Sequence, residues 1–306
     1  MLNILLIAED TSKLLNKNFY YLENELSNLA NLTLWRKQGH ISHILKQIPT
    51  RPDFILLFND IDTQMTPMIK GLANIDISTG LFVTDVHRFI SLRRNYIDKN
   101  KISNIFTVAR DKFMEIYPEY KNKMIWLPNF VNTELYKDYG LKKELNFLMM
   151  GAVNDTYPLR QTICNTYKND KNFVYHNHPG YRTLRNKEKE QSFIGDKYAK
   201  EINRAKLFFT CPSIYNYPVM KYFEVLACRT LLLAPTFKEL EDLGFIPGKH
   251  FVPIDKKNFK DKATYYLVND REREKIVEEG YRFIHGNHSV KQRAKQIIQK
   301  IESIVK

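Results

Sequence analysis

Short apolar runs recur along this chain, each followed by a longer stretch in which apolar positions return every three or four residues. In the first half the runs predict strands at 4–8, 32–35, 54–58, 80–84, 105–108 and 124–127. Between them the longer spacing predicts helices near 14–26, 41–47, 65–72, 89–96 and 110–117. Pro128-Asn-Phe-Val-Asn132 breaks the rhythm, and 136–141 reads as a linker. A second series then predicts strands near 146–150, 173–176, 207–210, 230–233 and 250–252. A closing helix around 289–305 carries Val290, Ala294, Ile297, Ile298, Ile301 and Val305 on one stripe. Strict alternation of strand and helix predicts an α/β class with parallel, doubly wound sheets. The charge-mixed stretch 182–191 has no apolar period and reads as an exposed loop, and no repeat or low-complexity tract interrupts the series.

Length turns that series into two domains, since 306 residues exceed the ~100–200 of a usual single domain. The expected division is 1–142 and 143–287, with the helix 288–306 packing back on the first. No apolar run approaches the ~18–20 residues of a membrane span. Asn3-Ile-Leu-Leu-Ile-Ala8 runs directly into Glu9-Asp10, as a first strand does and a signal peptide does not. The three cysteines, Cys164, Cys211 and Cys228, form no C-x-x-C pair. They suit a reducing cytosol better than a disulfide framework or zinc site, and the expected location is cytoplasmic.

Charge is uneven. Residues 1–140 hold 17 Lys+Arg against 15 Asp+Glu, and the remainder holds 30 against 19. The basic second half would attract a nucleotide diphosphate, an anionic membrane surface or polymer, or nucleic acid, and charge alone does not choose among them. Biased Lys/Asn/Ile usage is an equally simple origin.

The segment from Asn203 to Pro235 carries the most chemistry. Leu207–Phe209 is apolar, a loop follows, Pro218 suits the first turn of a helix, and Leu231–Ala234 is apolar again. On that helix Val219, Phe223, Leu226 and Ala227 predict the buried stripe, while Lys221 and Glu224 share a neighbouring face. Helix-end amides and Lys221 suit a diphosphate, and a carboxylate one turn deeper suits the two hydroxyls of a ribose. The competing reading is an ordinary i,i+3 ion pair worth roughly 0.2–0.5 kcal/mol.

The run Lys221-Tyr-Phe-Glu-Val-Leu-Ala-Cys-Arg229 resembles the donor-nucleotide signature of GT-B glycosyltransferases, most closely the CgeB-like spore-maturation branch. Arg229 stands where that pattern has glycine. Glu239-Leu-Glu-Asp-Leu-Gly244, His250-Phe-Val-Pro253 and the stretch from Glu279 to Arg293 extend the likeness, which is good from near Leu145 onward and architectural before it. The resemblance implies two Rossmann-like domains facing across a cleft, and a sugar moved from a nucleotide diphosphate sugar to an acceptor hydroxyl without a metal. No cofactor is implied beyond that co-substrate, and a UDP-sugar is the default donor.

The implied donor-binding set is Gly151, Arg160, His178, Tyr217, Lys221, Tyr222 and Glu224. Gly151 and Arg160 belong to a "G…R" turn in which backbone amides and an arginine approach the phosphates. A plain strand-to-helix turn with a surface arginine fits those two letters as well. His178, in His176-Asn-His-Pro-Gly180, and Tyr215 and Tyr217 are candidates for the base or sugar pocket; a polar strand end and loop packing are the ordinary alternatives. Thr84-Asp-Val-His87 ends a strand at the carboxyl edge of the first sheet, where Asp85 and His87 are candidate catalytic groups for the acceptor hydroxyl. Glu9 and Asp10 are rivals, although Asp10 also fits a helix N-cap. Asp60-Ile-Asp62 has the letters of a metal motif but is read as a loop. The acceptor is a cell-surface glycan, a protein or a modified nucleic acid. The alternative is a non-catalytic basic α/β protein binding nucleic acid or another polyanion, disfavoured because no nucleic-acid-reading motif is present.

Overall fold

The computed structural model describes residues 1–60, 65–180 and 191–306. Asp62 and nearly all of the charge-mixed stretch 182–191 therefore lie outside the described residues. The chain divides into two compact units, one comprising Met1–Pro128 with Val290–Lys306 and the other Asn129–Ser289.

In the first unit the strands are β1 (Asn3–Ala8), β2 (Asn31–Trp35), β3 (Gly39–His40), β4 (Phe54–Asp60), β5 (Ile69–Lys70), β6 (Ser78–Val83), β7 (Asn104–Thr107) and β8 (Met124–Trp126). The main sheet runs β2-β1-β4-β6-β7-β8 and every pair in it is parallel. β1 and β4 are almost wholly buried along their length, as strands covered on both faces must be. Helices α1 (Asn18–Ser27), α2 (Ile41–Gln47), α3 (Ile90–Asn100) and α4 (Arg110–Ile116) make the crossovers.

The helix predicted at 65–72 does not form. Met65 sits at φ 53, Pro67 has no N–H to give a helix, and the short strand β5 takes the place of its last turns. Asn59 Nδ2 reaches the carbonyls of Met65 and Pro67 at 3.2 and 3.1 Å, fixing this irregular segment from the buried strand beside it.

The second unit holds β9 (Leu145–Met150), α5 (Pro158–Tyr167), β10 (Phe173–His176), α6 (Asp196–Asn203), β11 (Ala205–Phe209), α7 (Lys221–Ala227), β12 (Leu231–Ala234), α8 (Lys238–Asp242), β13 (Val252–Pro253), α9 (Phe259–Val268) and α10 (Asp270–Asn287). Its parallel sheet runs β10-β9-β11-β12-β13. Because successive side chains of a strand point to opposite faces, the sheet feeds two cores. Leu148, Met150, Phe208, Leu232 and Ala234 pack with α6 and α7 residues such as Ile202 and Phe223. Phe147, Met149, Leu207, Phe209 and Leu233 pack with Leu159, Ile163, Phe259 and Ile276. The last helix, α11 (Val290–Val305), belongs to the first unit, packs on α1 and buries Ala294, Ile297 and Ile301. Among the described residues no helix is long and apolar enough to cross a membrane.

Candidate functional site

Strand order in the second unit reverses between β9 and β11: the chain leaves β9 for β10 on one side and later returns to β11 on the other. At such a switch point the two connections diverge and leave a crevice beyond the carboxyl ends of the strands. Gly151 stands directly after β9 at that place, with φ 125. Its N–H donates to the carbonyl of His176 at 2.9 Å, and its carbonyl accepts from the Tyr175 hydroxyl at 3.0 Å. The amide expected to meet phosphate is thus engaged in the sheet. What Gly151 supplies is the missing side chain: a Cβ there would lie 3.2 Å from Lys221 Nζ and 3.3 Å from Arg160 Nη1.

Two cations therefore converge over one glycine. Arg160, in the first turn of α5, is buried, not the surface side chain that the motif alone also allowed. Its Nη1 donates to Ala152 O at 3.1 Å and its Nη2 to Cys211 O at 3.2 Å, and its guanidinium stacks on the Tyr157 ring at 3.8 Å. It ties the chain after β9 to the chain after β11. Lys221 opens α7; burial and the Arg160 charge, opposed by Glu224, push its pKa down to about 8. Among the described residues no carboxylate forms an ion pair with either cation, although the Glu224 charge acts on Lys221 from one turn along the helix.

Glu224, one turn along α7, is 8% exposed. Its Oε2 accepts from the Tyr198 hydroxyl at 2.9 Å, a partner that α6 supplies and that sequence spacing did not indicate. Lys221 Nζ lies 6.0 Å from the centre of the same tyrosine ring. The simple i,i+3 ion pair between Lys221 and Glu224 does not form; the two groups bracket Tyr198 instead. Burial, with the Lys221 and Arg160 charges, lowers the pKa of His178. Its Nδ1 accepts from the Gly180 N–H at 2.9 Å, which puts the proton of the neutral ring on Nε2.

Two expectations need correction. Tyr222 is not at the site: its ring is fully buried among Phe237, Phe245 and Phe251, and its hydroxyl donates to Pro235 O at 2.7 Å. α7 is short and apolar on nearly every side, so position within the signature did not mean exposure. Pro218 does not open the helix, which begins at Lys221; the Pro218 carbonyl accepts from Asn129 Nδ2 at 3.0 Å. Tyr217 is buried and Tyr215 half-buried. Arg229 does take the left-handed conformation of the glycine it replaces, with φ 52. Lys143 Nζ reaches its carbonyl at 2.7 Å, and its guanidinium pairs with Asp138 and Glu278 at 3.0 and 3.3 Å.

In the first unit, Asp85 and His87 lie in the turn after β6, Asp85 exposed and His87 half-buried. Asp85 lies 3.8 Å from Arg88 in an exposed ion pair. Burial lowers the His87 pKa and Asp85 opposes it, so the imidazole is neutral at neutral pH. Buried Arg93 anchors the turn, donating to the carbonyls of Asp85, Val86 and Arg88 at 3.2, 3.2 and 2.8 Å. Arg93 is in turn held by Asp60 at 2.8 and 3.1 Å. Asp60, read as a loop residue, closes β4 and serves that ion pair. Asp10 caps a turn through the Ser12 N–H at 2.9 Å, well ahead of α1, which starts at Asn18; the helix N-cap reading fails on that distance along the chain. Arg36 donates to the Glu9 carbonyl at 3.2 Å and leaves the exposed Glu9 carboxylate aside.

Several solved structures share this architecture along nearly their whole length. Anabaena HepE, determined in complex with UDP and glucose, is 11% identical, with a TM-score of 0.66 over 99% of this chain and 100% of that one. A glycosyltransferase from Rickettsia africae is 10% identical, with a TM-score of 0.64 over 100% and 99%. Sucrose-phosphate synthase from Thermosynechococcus elongatus is 10% identical, with a TM-score of 0.63 over 99% of both. At such identities the likeness speaks for the fold, which is GT-B with two Rossmann-like sheets. No curated protein matches the chain significantly. The glycosyl transferase-like family matches residues 142–299, a span that contains the whole Gly151, Arg160, Lys221 and Glu224 cluster. With more than half of its 306 residues so matched, the chain belongs to the glycosyl transferase-like family.

Proposed function

We propose that this protein is a metal-independent glycosyltransferase that moves a sugar from a nucleotide diphosphate sugar to an acceptor hydroxyl. The observation that carries the reading is the pair of cations, Lys221 and Arg160, meeting over Gly151 at the switch point, with no carboxylate ion-paired to either among the described residues. A leaving diphosphate supplies the missing negative charge, and preorganised cations in a partly dry site stabilise it as the bond to the sugar breaks. Glu224 accepts the ribose hydroxyls, and His178 lies against the phosphates or the sugar. The resemblance of the run around Lys221 to the CgeB-like signature supports a reading within that branch. HepE was captured with UDP and with UDP-glucose, which makes a UDP-sugar the first donor to test.

In the transfer, an acceptor oxygen bonds the anomeric carbon while the bond from that carbon to the diphosphate breaks, its electron pair leaving with the phosphate. Asp85 or His87 takes the acceptor proton. The neutral state of His87 suits a general base near neutrality. A cell-surface glycan, a protein and a modified nucleic acid all offer such a hydroxyl, and the excess of basic residues after Gly140 favours an anionic acceptor or surface.

Titration calorimetry with UDP, GDP, ADP and dTDP, followed by hydrolysis assays on the matching glucose donors, tests the reading. Micromolar binding of at least one diphosphate is expected, lost on Lys221→Met and reduced by Glu224→Ala. Absence of binding by all four, or binding indifferent to both substitutions, removes the proposal.

A further inference from the structure

We infer that Tyr198 is a positioning residue that sets the Glu224 carboxylate for ribose, and so gives the protein its preference for ribonucleotides over 2′-deoxyribonucleotides. The inference deepens the nucleotide-sugar reading and rests on it. A glutamate reaching from a helix has three rotatable bonds, and freezing them when ligand arrives costs conformational entropy. Here the Tyr198 hydroxyl holds Oε2 at 2.9 Å before any ligand is present. α6 and α7 share one core beneath the sheet, with Ala199 and Ile202 of α6 packed among Phe223 and Leu226 of α7, so donor and acceptor are both mounted on fixed elements. The tyrosine ring is itself held edge-on by Tyr136, with centroids 6.1 Å apart.

The phenol keeps its proton. Burial and the adjacent carboxylate both raise its pKa, so it remains a donor throughout the range in which the protein would work. One lone pair of Oε2 is thereby used, and Glu224 keeps Oε1 and the remaining lone pair of Oε2 for a vicinal diol. Lys221 lies 6.0 Å from the same ring, so Tyr198 spaces the group proposed for phosphate from the group proposed for ribose.

The test compares UDP, GDP and ADP with their 2′-deoxy counterparts by calorimetry in wild type, Tyr198→Phe and Glu224→Gln. Phenylalanine retains the ring, its packing and its contact with Lys221, and removes only the hydroxyl. The expected result is an affinity loss of about tenfold for the ribonucleotide, with the 2′-deoxy form changed by less than about twofold, so that the preference shrinks in Tyr198→Phe as it does in Glu224→Gln. A preference unchanged in Tyr198→Phe but abolished in Glu224→Gln overturns this inference and leaves the site intact. A preference unchanged in both overturns the assignment of ribose to Glu224, and with it the role of Tyr198. Binding by none of the six overturns the functional reading as a whole. Should Tyr198→Phe fail to fold, Tyr198→Met carries the same comparison.

Discussion

Arg160 Nη2 donates to the carbonyl of Cys211 across 3.2 Å, joining the helix that follows β9 to the chain that leaves β11. A buried guanidinium spent on carbonyls keeps its full charge, and here it stands 3.3 Å from the Cβ position of Gly151. Arg160→Ala is expected to weaken binding of the cognate nucleoside diphosphate by roughly 10–100-fold, the loss of a charge-assisted contact of about 1.5–3 kcal/mol. It also leaves two carbonyls without their donors, at about 1–3 kcal/mol of stability. Arg160→Lys retains charge but not the fork, and should recover part of the affinity while failing to recover the stability. Calorimetry and urea unfolding separate the two effects.

Gly151→Ala tests the cradle from the other side. The new Cβ meets Lys221 Cε at 2.9 Å, and φ 125 is a conformation that alanine rarely adopts. The strain is about 1–3 kcal/mol, and the flexible end of Lys221 is the part that can move away. Diphosphate affinity should therefore fall at least about tenfold, because the displaced ammonium is the group proposed to hold phosphate. A variant that is destabilised but binds normally would contradict the placement of the diphosphate.

Lys221 predicts a pH dependence of defined sign. Its pKa in the unliganded protein is lowered to about 8, and a bound diphosphate favours the charged form and raises it again. Below pH 8 the ammonium is already charged and affinity should be flat. Above pH 8 binding must draw a proton from solvent, so affinity should decline as pH rises, by up to about tenfold per unit. For folding the sign is opposite. The native state disfavours the charged lysine, so this destabilising contribution is fully present below pH 8 and disappears as pH rises from 8 toward the ordinary lysine range. Diphosphate titrations from pH 7 to 10 check the first statement, and an affinity that stays constant across that range contradicts it.

The alternation of apolar runs and amphipathic stretches made nearly every strand of both sheets legible, because parallel strands covered on both faces must be apolar along their length. Lys221 and Glu224 were legible for a related reason: they are the charged members of a helix otherwise made of buried side chains. Tyr198 and Arg93 were not. Their partners lie 26 and 33 residues away, and nothing in local spacing links a tyrosine on one helix to a glutamate on the next. Tyr222 was misplaced because a motif records which letters travel together, whereas exposure on an all-buried helix depends on what packs around it. The helix at 65–72 was misread because Pro67 and the backbone at Met65 outweigh an apolar spacing.

The Arg93–Asp60 pair predicts a separation of stability from chemistry in the first unit. Both side chains are almost fully buried, and Arg93 carries the carbonyls of the turn that presents Asp85 and His87. Arg93→Ala leaves Asp60 buried beside a lost cation, which costs about 3–5 kcal/mol. Arg93→Lys keeps the charge and should cost less stability, yet one ammonium cannot serve a carboxylate and three carbonyls together. In that variant, diphosphate affinity should remain at the wild-type value while sugar transfer falls. Equal loss of both would place the turn outside the transfer step.

Arg229 predicts a contrast between two small substitutions. A non-glycine residue at φ 52 costs about 1 kcal/mol, so Arg229→Gly removes strain. The same change deletes the part-exposed ion pairs to Asp138 and Glu278, each worth about 0.2–1 kcal/mol. The two effects offset, and Arg229→Gly should lie within about 1 kcal/mol of wild type in urea unfolding. Arg229→Ala retains the strain and loses both pairs, so it should be the less stable of the two by about 1 kcal/mol. Asp138 links the outcome to pH: its carboxyl is held below the usual range by the Gly140 N–H and the Arg229 guanidinium, against the opposing effect of burial. Stability from this pairing is present above the ordinary aspartate pKa and disappears as pH falls through the lowered one. The difference between wild type and Arg229→Ala should accordingly narrow in acid, and a difference that stays constant down to pH 3 would show that the ion pair contributes nothing.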